Sequence, residues 1–255
     1  MPHTVVDISA DGIANLTIRG ARSLNIIGSE AIVAASATLE QLAARADVRV
    51  LVLRGADEES FIGGADIDEM AALDPQSAVA FITRLKDLCE AVRRFPTPVI
   101  ARLAGWTLGG GLELAAACDL RIAAEDARFG MPEVAVGIPS VIHAALLPRL
   151  VGTARATWLV MTAQPIDART AHEWGLVHEV HAPATLDARI AALATRLAGF
   201  GHDVMRRQKR LLREWESLTA DEAIDRSVAE FGAAYQSGEP QRYMGDFIAR
   251  RRQAR

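Results

Sequence analysis

An α/β fold with a mostly parallel, buried sheet and a helical C-terminal region is what this sequence predicts. Two observations carry it. VRVLVLRG (48–55) and PVIARLAG (98–105) are continuous apolar runs, not alternating ones, and a helical segment near Ser77–Arg94 lies between them. Strands buried on both faces read this way, and strand–helix–strand alternation makes neighbouring strands parallel. From Ser140 onward the spacing turns helical almost throughout, with GLVHEV (175–180) as a brief extended interruption.

The elements follow in order. TVVDIS (4–9) and IANLTI (13–18), joined around Asp11-Gly12, predict a hairpin, and a helix is expected from about Ser29 to Arg45. The two apolar runs supply buried strands, and LRIAAED (120–126) and ARFGM (127–131) add shorter extended pieces. Near the C-terminus, Thr219–Tyr235 and Gln241–Ile248 carry apolar residues at helical spacing (Ala223, Ile224, Val228, Phe231; Tyr243, Met244, Phe247, Ile248). That is more apolar surface than a thin outer layer needs to bury. Neither a low-complexity linker nor an internal repeat interrupts the chain.

Composition excludes several function classes. The chain has 255 residues, half of them hydrophobic, ample for one large core plus a helical appendage. A net charge of −4 gives no general attraction to nucleic acid or to an anionic membrane. No apolar run approaches the roughly 18 residues of a membrane span, and Asp7 and Asp11 interrupt any leader-like opening. Cys89 and Cys118 sit far apart in apolar helical contexts, so buried free thiols and a reducing cytoplasm are expected. Lys86 and Lys209 are the only lysines among 28 basic residues. A phosphate-bearing ligand would be held mainly by arginine and backbone amides.

The most informative stretch is GWTLGGGLELAAACD (105–119), where three glycines precede an apolar helix with one charge, Glu113, in its first turn. Leu112, Leu114, Ala115, Ala116, Ala117 and Cys118 leave that helix no polar stripe, so Glu113 is expected to be buried. Burial of an unpaired carboxylate costs several kcal/mol or raises its pKa. A helix-dipole contact at a surface, about 0.3–1 kcal/mol, does not explain such a setting. Glycines at a helix N-terminus let backbone N–H groups approach a ligand, which points to an anion or oxyanion site over a simple tight turn.

Each apolar strand of the first half runs into a glycine-rich loop: FIGGADIDEM (61–70) after the first and GWTLGGGLE (105–113) after the second. The former resembles the F-x-x-G-A-D-I-x-E-M segment of the crotonase, or enoyl-CoA hydratase/isomerase, superfamily. AGWTLGGGLELAAACDLRIA resembles that family's second signature. The likeness continues through ARFGMPEVAVGIP and VGTARATWLVMTAQPIDARTAHEWGLVHEV and covers nearly the whole chain. Several motifs in the right order make chance similarity remote, whereas a lone glycine triplet would be weak.

The resemblance implies a core of repeated ββα units wound as a spiral over residues 1–195, and a helical oligomerisation region over 196–255 that builds a homotrimer or hexamer. It implies a coenzyme A thioester substrate whose carbonyl oxygen sits between the N–H groups of Ala65 and Gly110. Its two hydratase glutamates match Glu113 and Glu133, the first to activate water at C3 and the second to protonate C2. The CoA contacts match Arg22, Leu24, Ala65, Asp66, Ile67, Asp68, Gly109 and Gly110. Asp66 and Asp68 serve equally well as helix caps, and Arg22 equally well as a solvated turn residue. No metal or redox cofactor is implied, and coenzyme A is part of the substrate. Neither nucleic acid nor membrane is an expected partner.

Other polar groups read as structural. The run Arg206, Arg207, Lys209, Arg210 is expected as a wet helix face, and the terminal ARRRQAR as a frayed basic tail. His172, His178 and His181 fit no zinc spacing. One departure stands out: family hydratases carry a glycine pair a few residues after the loop proline, whereas this chain reads Gly137-Ile138-Pro139-Ser140-Val141-Ile142-His143-Ala144. Val141 and Ile142 are expected to reshape the acyl pocket or tilt the following helix. Three rival functions remain. A double-bond isomerase would use Glu133 alone; a non-catalytic or RNA-binding protein would need a basic, aromatic surface. A paired-carboxylate glycosidase would need aromatic platforms, and only 5% of residues here are aromatic.

Overall fold

The computed structural model describes residues 2–22 and 24–253. Strands β1 (Thr4–Ile8) and β2 (Ile13–Ile18) form the expected antiparallel hairpin, with Thr4 opposite Ile18 and Ile8 opposite Ala14. Helix α1 (Ser29–Ala43) follows, and then β3 (Val50–Arg54), β4 (Ser60–Ile62), α2 (Ile67–Ala71) and α3 (Pro75–Arg93). A second such unit holds β5 (Val99–Leu103), β6 (Trp106–Leu108) and α4 (Gly110–Ala117), and a third opens with β7 (Leu120–Ala124) and β8 (Arg128–Gly130). Within each unit the first strand joins one sheet and the second strand another. This is the ββα spiral that the resemblance implies.

The larger sheet is completed by β10 (Glu179–His181) in the order β1-β2-β3-β5-β7-β10, parallel from β2 onward. The smaller sheet is β4-β6-β8 plus β9 (Ile166–Asp167), antiparallel to β8. Two cores explain the continuous apolar strands. Leu51 and Leu53 point into the main core with Leu16, Ile18, Phe61 and Phe129. Val50 and Val52, one residue out of phase, pack with Ile100 and Ile122 beneath Leu186, Ile190 and Ala194 of α8 (Pro183–Ala198). Both faces are therefore dry, and alternation has no reason to appear.

The smaller sheet is the feature that sequence periodicity understates. Its strands are two or three residues long, too short for a period of two to register against flanking glycines. Short helices α5 (Leu147–Val151), α6 (Thr153–Thr162) and α7 (Ala168–Glu173) precede β10. The 195/196 division falls in the last turn of α8. Beyond it lie α9 (His202–Trp215), α10 (Ala220–Ala234) and α11 (Glu239–Gln253).

The basic run on α9 corrects one expectation. Of Arg206, Arg207, Lys209 and Arg210, Arg206 is exposed as expected, but Lys209 is buried, donates to the Thr97 carbonyl oxygen at 3.0 Å and pairs with Asp119 at 2.7 Å. Arg207 and Arg210 both reach Glu230 of α10, at 2.7 and 2.6 Å. The run clamps α9 to the core on one side and α10 to α9 on the other. In contrast, Ile224, Val228, Phe231, Phe247 and Ile248 on α10 and α11 stay exposed. Of the basic tail, residues 254 and 255 lie outside the described residues. Both cysteines are buried free thiols, as expected.

Candidate active site

The site is built around the N-terminus of α4. The chain enters it from β6 through Gly109, whose φ of 51° is a left-handed conformation that glycine adopts without penalty. Two residues on, Gly111 lies so close to β4 that a Cβ there would fall 2.2 Å from the Ile62 carbonyl oxygen. Thus one glycine turns the chain and another lets the helix press onto the small sheet. The first N–H groups of α4 are left without intrahelical partners, as in any helix. Gly110 is the first of them.

The far end of the same helix is held by Arg121 of β7. Its buried guanidinium donates to the carbonyl oxygens of Cys118 at 2.7 Å and Leu176 at 2.7 Å, with longer bonds to Ala115 and Ala116. A cation on C-terminal carbonyls also complements the helix dipole. Burial lowers the pKa of this guanidinium, and the nearby Asp119 carboxylate works against that fall. The helix that carries the site is thereby fixed at both ends.

Glu113, in the first turn of α4, is 4% exposed. Oε1 accepts a hydrogen bond from the backbone N–H of Ala144 at 2.9 Å. Desolvation pushes its pKa up to about 8, the Ala144 bond opposes this, and the charge of Glu133 adds to the rise. Glu133 opens a 3₁₀ turn (Glu133–Val136) after Pro132, and burial raises its pKa too. Its own backbone N–H and the Ser140 hydroxyl, which donates to Oε2 at 2.9 Å, pull the other way. Burial thus holds both carboxyls above the ordinary carboxylate range, and the charge of Glu133 adds to the rise at Glu113.

Both carboxyls line a cavity of about 280 Å³ with Leu24, Ala65, Ile67, Gly109 and Gly110. Its remaining wall is apolar and includes Phe81, Leu85 and Val141. Ala65 sits in an isolated parallel bridge with Ile27 in which Gly64 supplies the carbonyl (3.0 Å) and Asp66 the N–H (3.1 Å). The Ala65 N–H is left out of that ladder. Ala65 and Gly110 both line the cavity.

The remaining sequence-predicted contacts lie outside the cavity lining. Asp66 is the N-cap of α2, accepting from the N–H groups of Asp68 and Glu69. Arg22, at φ 63°, forms an ion pair with Asp68 on the exposed rim. Three partners were missing from the sequence reading: Ala144, Ser140 and Arg121. The first two fall in the segment that departs from the family's glycine pattern, and there the signal was a difference without a direction. Val141 does line the cavity, and Ile142 takes a φ of 39°, unusual for a β-branched residue.

Comparison with known proteins now decides the family. The sequence model for enoyl-CoA hydratase/isomerase matches residues 9–254. The chain belongs to the enoyl-CoA hydratase/isomerase family. Relatives within this family include a short-chain-enoyl-CoA hydratase of Clostridium acetobutylicum, 31% identical over 94% of this chain and 92% of its own. Another is a crotonyl-CoA hydratase of Syntrophomonas wolfei, 32% identical over 94% and 93%. Among solved structures, the enoyl-CoA hydratase from Bacillus anthracis superposes with a TM-score of 0.93 at 28% identity, covering 97% of this chain and 96% of that one. This enoyl-CoA hydratase/isomerase family member thus matches these three proteins over more than nine tenths of each chain.

Proposed function

We infer that this chain is an enoyl-CoA hydratase that adds water across the 2,3 double bond of a short enoyl-CoA thioester. The observation that carries the reading is the pair of carboxyls, buried Glu113 and half-buried Glu133, in one cavity that Ala65 and Gly110 also line. The cavity volume and the names of the relatives support a short acyl group.

In this mechanism the thioester oxygen lies between the N–H groups of Ala65 and Gly110. The oxygen of water bonds to C3 while Glu113 takes one of its protons. The electron pair of the double bond moves toward the thioester, whose oxyanion the two N–H groups stabilise, and C2 takes its proton from Glu133. Fixed donors of this kind are each worth about 10²–10³ in turnover. The proton then returns from Glu113 to Glu133 through solvent or product exchange. No metal or redox cofactor enters this reaction.

The exposed apolar residues of α10 and α11 support a trimer, or a pair of trimers, formed by the 196–255 region. Light scattering that finds a stable monomer at micromolar concentration contradicts that assembly. Buried free thiols fit a reducing, cytoplasmic setting. Among the described residues, no helix is long and apolar enough to cross a membrane.

A panel of enoyl-CoA thioesters of graded length and branching, followed by loss of the conjugated absorbance, tests the activity. Short substrates are expected to turn over fastest. Activity on none of them, with migration of a 3,4 double bond to the 2,3 position instead, replaces the hydratase with an isomerase.

A further inference from the structure

Glu133 has two chemically distinct oxygens because the chain folds back on it. Gly137, at φ 81°, ends the 3₁₀ turn, and the Ile138 N–H donates to the Glu133 carbonyl oxygen at 3.2 Å. That reversal brings Ser140 against the Glu133 side chain, where its hydroxyl donates to Oε2 at 2.9 Å. The other oxygen, Oε1, faces Gly109: a Cβ built on that glycine would fall 2.5 Å from it. Gly109 immediately precedes Gly110, so Oε1 is turned toward the oxyanion loop and Oε2 toward the serine.

We propose that Ser140 is a positioning residue for Glu133, tying Oε2 so that Oε1 is the oxygen presented to C2 of the substrate. The proposal rests on the hydratase reading for the identity of the reaction, but its structural content does not. Apart from its own backbone N–H, this carboxyl on three rotatable bonds has Ser140 as its hydrogen-bond donor. Its neighbours in the cavity lining are apolar side chains and glycines, and Glu113 is the other titratable group there. Glu113, whose Oε1 accepts from the Ala144 N–H, makes no hydrogen bond to Glu133 among the described residues. A hydroxyl can donate to the ionised carboxylate and keep donating to the carbonyl oxygen of the acid. It thus holds the same orientation on both sides of the proton transfer.

The arrangement also sets a direction for the chemistry of the pair. A donor on Oε2 favours the ionised form of Glu133. Without it the acid holds its proton more tightly and its orientation is no longer selected. Both changes slow delivery to C2, and neither touches the CoA contacts on the rim.

Ser140→Ala and Ser140→Thr test this. In Ser140→Ala, kcat for hydration of crotonyl-CoA is expected to fall roughly tenfold to 10²-fold, the scale of a misplaced reacting group, with KM nearly unchanged. Ser140→Thr, which keeps the hydroxyl, is expected to restore most of the loss. Isotope-edited infrared titration of the glutamate carboxyls, with Glu133→Gln as the subtraction, reads the same residue without turnover: the Glu133 carboxyl is expected to titrate at higher pH in Ser140→Ala. Wild-type kcat and an unmoved Glu133 titration in Ser140→Ala overturn the proposal. Equal loss in the threonine variant overturns it as well. If the wild type hydrates no enoyl-CoA, the functional reading fails while the infrared titration still decides the role of Ser140.

Discussion

The two carboxyls stand on very different foundations. Glu113 rides on α4, a helix anchored by Gly109 and Gly111 at one end and by Arg121 at the other. Glu133 stands on residues 133–144, a succession of 3₁₀ turns with Gly137 and Ile142 at positive φ. The segment nonetheless reaches both groups: Ser140 bonds Glu133, and Ala144 bonds Glu113. The contrast teaches that the helix fixes where Glu113 and the Gly110 N–H are, and the irregular segment sets how the two carboxyls are oriented. Rigid scaffold and adjustable loop divide the work.

If that division holds, the largest effect belongs to the chemistry of the loop glutamate. Glu133→Gln is expected to cut hydration by roughly 10²–10⁴-fold, the range of a positioned acid or base. Adding Glu113→Gln is expected to make it little worse, since both act in one addition. Steady-state rates of the two single variants and the double variant check this. Next comes the helix itself. Gly110→Pro removes one oxyanion N–H, and turnover is expected to fall by about 10²-fold in protein that folds by circular dichroism.

A stability experiment sharpens the comparison from the other side. Glu113 has a folded pKa of about 8 against an ordinary 4.5, so the native protein binds this proton more tightly than the unfolded chain does. Its contribution is complete below the ordinary value and is lost as pH rises from there through about 8. Glu113→Gln removes that dependence while keeping an acceptor for the Ala144 N–H. Relative to wild type, the variant is expected to gain on the order of 3 kcal/mol between pH 5 and pH 9, read as a growing difference in chemical-denaturation midpoints. Hydration by the wild type is expected to rise with pH toward about 8 as Glu113, the base of the proposed mechanism, becomes ionised.

A comparable but structural effect is expected at the other end of α4. Arg121→Met leaves several buried carbonyl oxygens without a donor and is expected to destabilise the protein by about 2–3 kcal/mol, partly offset by the lost desolvation of the guanidinium. A denaturant midpoint unchanged from wild type would show that α4 does not depend on that anchor.

Much of this was legible in the sequence where one residue type has one physical job. An acidic residue in an otherwise apolar helix has to be buried, and Glu113 is. Three glycines before a helix have to permit a tight turn or a close approach, and Gly109 and Gly111 do one each. Continuous apolar strands have to be covered on both faces, and β3 is. Legibility failed where contacts are set by tertiary path and not by local pattern. Nothing in a serine after a proline announces a bond to a carboxyl seven residues back, and the buried Lys209 looks in sequence like any member of a basic run. Asp66 was legible only as an alternative, ligand or cap, and the structure places it as the cap of α2.

The account's central claim is that water is added by both carboxyls acting together, and Glu113→Gln tests it most directly. Hydration of crotonyl-CoA and 3-to-2 double-bond migration are measured side by side in wild type and in this variant, with folding confirmed. The account predicts that the wild type hydrates and that the variant loses roughly 10²–10⁴-fold of that rate. Full hydration in Glu113→Gln would contradict it and reduce Glu113 to a buried structural carboxyl.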